Sequence, residues 1–213
     1  MEKRTVIIAG ASGLVGGEIL QGLLADPQVA MVHSLARRPA AFQHPKLVTH
    51  VVDFSALPAL PRADEAYLAL GTTIKVAGSQ AAFRAVDYDA NMAVATAALA
   101  AGVKRVALVS AMGANLHAKV FYNRVKGELE IALAQLPFEA LVIARPSLLI
   151  GDRAALGQPA RRGELLGEAF NRTLGFLIPR NYKPITASAV ACALLIALPC
   201  ATGRTVLLSG AMR

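Results

Sequence analysis

At 213 residues the chain has the length of one domain, large enough to bury a sizeable core without covalent staples. Its two cysteines, Cys192 and Cys200, imply neither a disulfide framework nor a metal site. The net charge of +8 comes from basic residues scattered along the chain without interleaved aromatics, so no nucleic-acid module is favoured and anionic small molecules account for the charge as well.

Met1–Arg4 carries no signal-peptide pattern and leads straight into the β-rich run Thr5–Gly10, so a cytoplasmic chain without membrane attachment is expected. Next comes Gly10-Ala11-Ser12-Gly13-Leu14-Val15-Gly16, which opens the amphipathic pattern Leu14–Ala25 and predicts strand, tight turn and helix. A dinucleotide pyrophosphate needs backbone N–H donors at a helix N-terminus and a loop with no Cβ atoms in its way, and this order of elements supplies both. Gly10 is expected to make the turn, Gly13 to let the backbone approach the phosphates, and Gly16 to let the helix pack on its strand. Ser12, Leu14 and Val15 complete that contact. An ordinary βα turn would use the same glycines for geometry only.

Further β-rich runs occupy Val32–Arg37, Leu47–Phe54 and Glu65–Gly71. At the end of the second strand, where a carboxylate would select an unphosphorylated ribose, the chain has Arg37-Arg38. Guanidinium groups there suit a 2′-phosphate and favour NADP over NAD; the alternative is a pair of solvated side chains. Asp53, followed by Phe54, closes the third strand, as an acceptor for an adenine amino group or as a local turn former. In Leu70-Gly71-Thr72-Thr73, small residues let the fourth strand end pass under an adenosine ribose.

An alanine-rich helix is predicted over Gln80–Ala101, a strand over Val103–Ala111 and a helix over Lys119–Gln135, which stops before Pro137. Tyr122 and Lys126 stand four residues apart, on one face of that helix. A neighbouring ammonium favours the phenolate, which suits a tyrosine to acid–base work. Ser110, at the end of the fifth strand, is placed to bond a substrate carbonyl or hydroxyl. After the run Phe138–Ile150, the segment Asp152–Lys183 breaks the alternation with Arg153, Arg161, Arg162, Arg172, Arg180 and Lys183 among glycines and prolines, and with a short helical pattern at Glu164–Leu174. It reads as a substrate-covering segment or as a solvated excursion. The apolar stretch Ala187–Pro199 is shorter than a bilayer span and reads as a buried helix holding Cys192 inside, and Thr205–Gly210 is a last strand. Near-continuous apolar strands alternating with helices predict an α/β fold over residues 1–213: a single doubly wound parallel sheet, the Rossmann-like NAD(P)-binding type.

With these motifs in place, the chain resembles the short-chain dehydrogenase/reductase superfamily in its atypical, extended-like branch. The likeness rests on Gly10–Gly16, Leu70-Gly71-Thr72-Thr73, Asn91, Ala101–Arg105, Ser110, Tyr122–Lys126 and Arg145–Gly151. Leu70–Thr73 and Tyr122–Glu128 are similar to the small TIP30-like NADPH-binding oxidoreductases. The resemblance implies a triad in which Tyr122 exchanges the proton, Lys126 holds the nicotinamide ribose and Ser110 orients the substrate oxygen. It further implies that Pro146 and Ser147 border the nicotinamide and that Asn91 supports a proton relay, unless Asn91 is a structural hydrogen-bonder. Ala111-Met112 departs from the pattern, since relatives carry a further serine there. The expected activity is NADP-dependent hydride transfer on a small-molecule carbonyl or alcohol. A non-catalytic NADPH sensor and an epimerase or dehydratase are the alternatives, and nothing in the sequence argues against a homo-oligomer.

Overall fold

The structure is a computed structural model that describes residues 3–39, 42–150 and 179–213. The strands are β1 (Arg4–Ala9), β2 (Val29–Ala36), β3 (Leu47–Val51), β4 (Glu65–Leu68), β5 (Arg105–Val109), β6 (Ala140–Arg145), β7 (Leu149–Ile150), β8 (Ile185–Thr186) and β9 (Gly203–Leu208). Seven of them form one sheet in the order β3-β2-β1-β4-β5-β6-β9, with every neighbouring pair parallel. β7 and β8 make a separate short parallel pair. Pro146 and Ser147 part β7 from β6, because proline cannot donate to a ladder; the predicted run Phe138–Ile150 is therefore two strands.

Helices α1 (Leu14–Ala25) and α6 (Ala187–Ala197) cover one face of the sheet, and α4 (Asn91–Ala100) and α5 (Phe121–Ala134) the other. On the first face Ile19, Leu23, Val190 and Leu194 pack over Val6, Ile8 and Val142. On the second, Val94, Ala98, Leu129 and Leu133 pack over Ile7, Leu68 and Ile143. Burial of each such aliphatic side chain stabilises the fold by about 1.5–3 kcal/mol. Both faces of the central strands are thus covered, which is why β4 reads as an unbroken buried run.

The predicted helix Gln80–Ala101 is in fact three pieces. They are α3 (Gln80–Arg84), capped by Ser79, a π-helical stretch over Ala85–Ala90, and α4; a separate short helix, α2 (Ile74–Ala77), capped by Thr73, precedes them. The expectation for Ala187–Pro199 also changes. Ala187, Val190, Ala191 and Leu194 face inward, while Cys192 and Ile196 lie on the exposed face. An all-apolar helix hides its orientation from periodicity, so the thiol side was misassigned. Among the described residues no helix is long and apolar enough to cross a membrane. Arg153, Arg161, Arg162, Arg172 and the helix expected at Glu164–Leu174 lie outside the described residues; Arg180 opens the short 3-10 turn Arg180–Tyr182 and Lys183 follows it.

At the lower edge of the sheet Arg4 spans two carboxylates, Asp26 at the end of α1 at 2.5 Å and the buried Glu65 at the start of β4 at 3.1 Å. At the opposite, C-terminal edge the chain leaves β1 toward β2 on one side while β4 lies on the other. This is the switch point where a doubly wound sheet opens a crevice.

Candidate functional site

The glycine turn sits at that switch point. Gly10 has φ +94°, and a Cβ there would come within 2.4 Å of the Ala69 backbone at the end of β4; it makes the turn as expected and also lets two strand ends converge. A Cβ on Gly16 would lie 2.0 Å from the Gly10 carbonyl oxygen, just past the end of β1, so the first turn of α1 comes close to the strand end there. Gly13 donates its N–H to Gly10 O at 3.0 Å and caps α1 without any side-chain partner for the helix N–H groups. Ser12 is exposed beside it, while Val15 is buried and Leu14 half-buried against the core, leaving backbone groups as what they present. A side-chain-free cradle with an uncapped helix start fits a pyrophosphate.

The neighbouring strand ends are less uniform. Arg37 and Arg38 are exposed just beyond β2. Asp53 accepts from Ser55 N–H at 2.9 Å and Ser55 Oγ at 2.7 Å, the local turn role, and those bonds hold its carboxyl below the ordinary carboxylate value. Phe54 packs against the core. In Leu70–Thr73, Leu70 leans on the core, Thr73 caps α2 through a bond from Val76 N–H at 3.1 Å, and Gly71 is exposed.

Beneath Gly71 lies a buried ion pair. Lys126 Nζ is 2.7 Å from Asp87 Oδ1, with side-chain exposures of 4% and 0%. The other carboxylate oxygen, Oδ2, accepts from Thr72 N–H at 2.8 Å. Burial works to lower the lysine pKa, but Asp87, aided by Tyr122, holds it above the ordinary lysine value. Tyr122 stands one turn earlier on α5, half-buried, its ring 5.3 Å from that of Phe83. Asn91 gives its Nδ2 to the carbonyls of Leu70 (3.2 Å), Val86 (3.3 Å) and Asp87 (3.1 Å). Its side chain thus holds the start of α4 and the end of the Leu70 segment together, which is the structural role.

Ser110, just past β5, is bonded to a side chain of α5. Its hydroxyl donates to the buried Glu130 at 2.5 Å, and the same carboxylate takes Arg145 at 2.5 Å and Arg204 at 3.4 Å. The oxygen meant for a substrate is engaged in a polar cluster. Pro146 is buried with its carbonyl accepting from Met112 N–H at 2.8 Å, and Ser147 is bonded to Ser209 and Lys183. Pro146 thus holds the loop after β5, and Ser147 ties the turn after β6 to the ends of β9 and the 180–183 segment. Gly127 lets that loop cross α5, since a Cβ there would fall 2.3 Å from the Asn115 backbone.

Sequence reasoning missed Asp87, Glu130 and Gly127. The signal was present for two of them: Phe83, Asp87, Asn91 and Ala95 recur every four residues, as do Tyr122, Lys126 and Glu130. A carboxylate on a stripe of core residues requires a cation, and each had one.

Residues 10–136 match the family described as NAD(P)H-binding. The chain belongs to that family. It is 38% identical over 165 residues to the protein FMP52, mitochondrial, of Coccidioides immitis, covering 70% of this chain and 67% of that protein. It is 33% identical over 192 residues to the protein HTATIP2 of Rattus norvegicus, covering 84% of this chain and 77% of that one, in keeping with the TIP30-like resemblance. Among solved structures, MoeE5 in complex with UDP-glucose and NAD superposes with a TM-score of 0.71 at 18% identity, over 95% of this chain and 75% of that one. The UDP-glucose 4-epimerase of Thermotoga maritima does so with 0.70 at 12% identity, over 97% and 77%. At such identities these two show the fold alone. The expected cytoplasmic location is corrected by the relatives from Coccidioides immitis, Emericella nidulans and Candida albicans, all named as mitochondrial; the absence of a leader pattern in Met1–Arg4 was too little to argue from.

Proposed function

We propose that the chain is an NADP-dependent oxidoreductase acting on a carbonyl/hydroxyl pair, with Tyr122 as the proton-transferring group and Lys126 as the charged anchor beside it. The observation that carries this is Tyr122 one turn from a buried, charged Lys126 that lies directly under Gly71 at the sheet's switch point. The bound nicotinamide supplies or receives the hydride. Tyr122 gives its phenolic proton to the substrate oxygen in reduction and takes it back in oxidation. Lys126 would hold the ribose, and the glycine turn would take the pyrophosphate on its backbone N–H groups. Arg37 and Arg38 pair with the 2′-phosphate, the basis for NADP over NAD. Ser110 is left out of the mechanism, because its hydroxyl is held by Glu130.

Tyr122→Phe keeps the ring against Phe83 while removing the proton donor. With a carbonyl panel followed by NADPH absorbance, turnover is expected to fall about 10²–10⁴-fold with NADPH affinity retained. Unchanged turnover would remove Tyr122 from the chemistry. A second reading, a cofactor-sensing protein without turnover, is favoured by the engagement of Ser110 with Glu130 and by alanine at position 111. It predicts tight NADPH binding and no turnover across the panel.

A further inference from the structure

We propose that Asp87 is a positioning residue of this site: its carboxylate holds the Lys126 ammonium beneath Gly71 and fastens the Leu70–Thr73 segment over it. The inference rests on the reading of Lys126 as the ribose anchor.

One carboxylate serves two partners from separate parts of the chain. Oδ1 pairs with Lys126 on α5 at 2.7 Å, and Oδ2 takes Thr72 N–H from the β4–α2 connection at 2.8 Å. Asp87 lies in the π-helical stretch Ala85–Ala90, a widened turn of the kind that collects at functional sites. Asn91 closes that stretch and ties it to Leu70 O, so the segment over the pair is held at two points. Gly71 puts no side chain over the pair: a Cβ there would sit 3.5 Å from Asp87 Oδ1 and 3.8 Å from Lys126 Nζ.

Stability does not account for this arrangement. Desolvation of a fully buried ion pair offsets most of its attraction, and an apolar pair of similar volume would serve the core as well. A fixed ammonium under an open glycine serves a ligand. The charged and titratable groups acting on Lys126 are Asp87 from the π-helical stretch and Tyr122 and Glu130 from α5. Asp87 is the one in contact, so its removal leaves the ammonium buried without its counter-ion.

NADPH dissociation constants from nicotinamide fluorescence, measured between about pH 6 and pH 10, test the assignment in the wild type, Asp87→Asn, Asp87→Glu, Lys126→Met and the Asp87→Asn/Lys126→Met double variant. Thermal midpoints run alongside report folding. Asp87→Asn is expected to weaken NADPH about tenfold or more and to lose further affinity with rising pH, because a buried lysine without its partner deprotonates earlier. Lys126→Met should show a loss with no such pH dependence, and the double variant should match it. Asp87→Glu should restore the flat pH profile at reduced affinity.

A folded Asp87→Asn protein with the wild-type affinity and profile overturns the inference. Should that variant not fold, wild-type affinity in Asp87→Glu, which moves the carboxylate by one methylene, overturns it equally. If Lys126→Met itself binds NADPH normally, the anchor role of Lys126 fails and Asp87 falls with it. If Lys126→Met is weakened and Asp87→Asn is not, only the positioning role is lost.

Discussion

The residues proposed to decide cofactor choice stand free of the core. Arg37 and Arg38 are exposed at the end of β2, where no carboxylate competes for a ribose hydroxyl. Loss of one charge-assisted pair costs about 1.5–3 kcal/mol, so Arg37→Ala or Arg38→Ala should weaken NADPH by roughly tenfold or more while leaving NADH nearly unchanged. Equal affinities for the two cofactors in the wild type would end the NADP assignment. The exposed position of both arginines beyond β2 was legible, because a strand end followed by basic residues is a local pattern. Asp87 was not, since its meaning depends on Lys126 arriving from another helix. Ser110 shows the converse: its place after β5 was read well, but the direction of its hydroxyl depends on Glu130, twenty residues away.

At the level of elements, the boundaries of α1 followed from its own sequence, Leu14–Ala25, because a glycine turn and Asp26-Pro27 punctuate both ends. The helix after β4 did not, because alanine-rich periodicity is blind to a π-helical turn that shifts register by one residue. The glycine turn yields a sharp expectation. A methyl on Gly16 would meet the Gly10 carbonyl 2.0 Å away, so Gly16→Ala must push α1 from the turn. A cost of about 1–3 kcal/mol is expected, read as a lowered urea midpoint, together with loss of NADPH binding in the protein that remains folded. Undiminished binding in a folded Gly16→Ala protein would place the pyrophosphate elsewhere.

For the whole molecule, the alternation of apolar runs and helices already implied a parallel sheet, but no local pattern reveals how its lower edge is fastened. Arg4 does this by joining the end of α1 to the start of β4. Burial pulls the Asp26 carboxyl upward, yet the Gln28 N–H and Arg4 hold it below its ordinary value of 3.8. A lowered carboxyl contributes its full stability above the unfolded-state value and loses it as pH falls through the folded-state one. Asp26→Asn should therefore flatten the acid limb of stability below about pH 4, measured by urea unfolding at successive pH values. A wild-type acid limb in that variant would show that the Arg4 link adds nothing.

The convergence of Gly10 on Ala69 has a consequence for how the molecule is made. β1 pairs with β2 early in the chain, but its other edge waits for β4, and the contact between Thr5 and Asp64 spans 59 residues. Non-local parallel pairing of this kind is slow to form, and an unpaired strand edge is a template for aggregation while it waits. The turn at Gly10 reaches its final shape only once β4 has docked beside it. A nascent chain released before Leu68 would carry every glycine of the motif and still have no dinucleotide cradle.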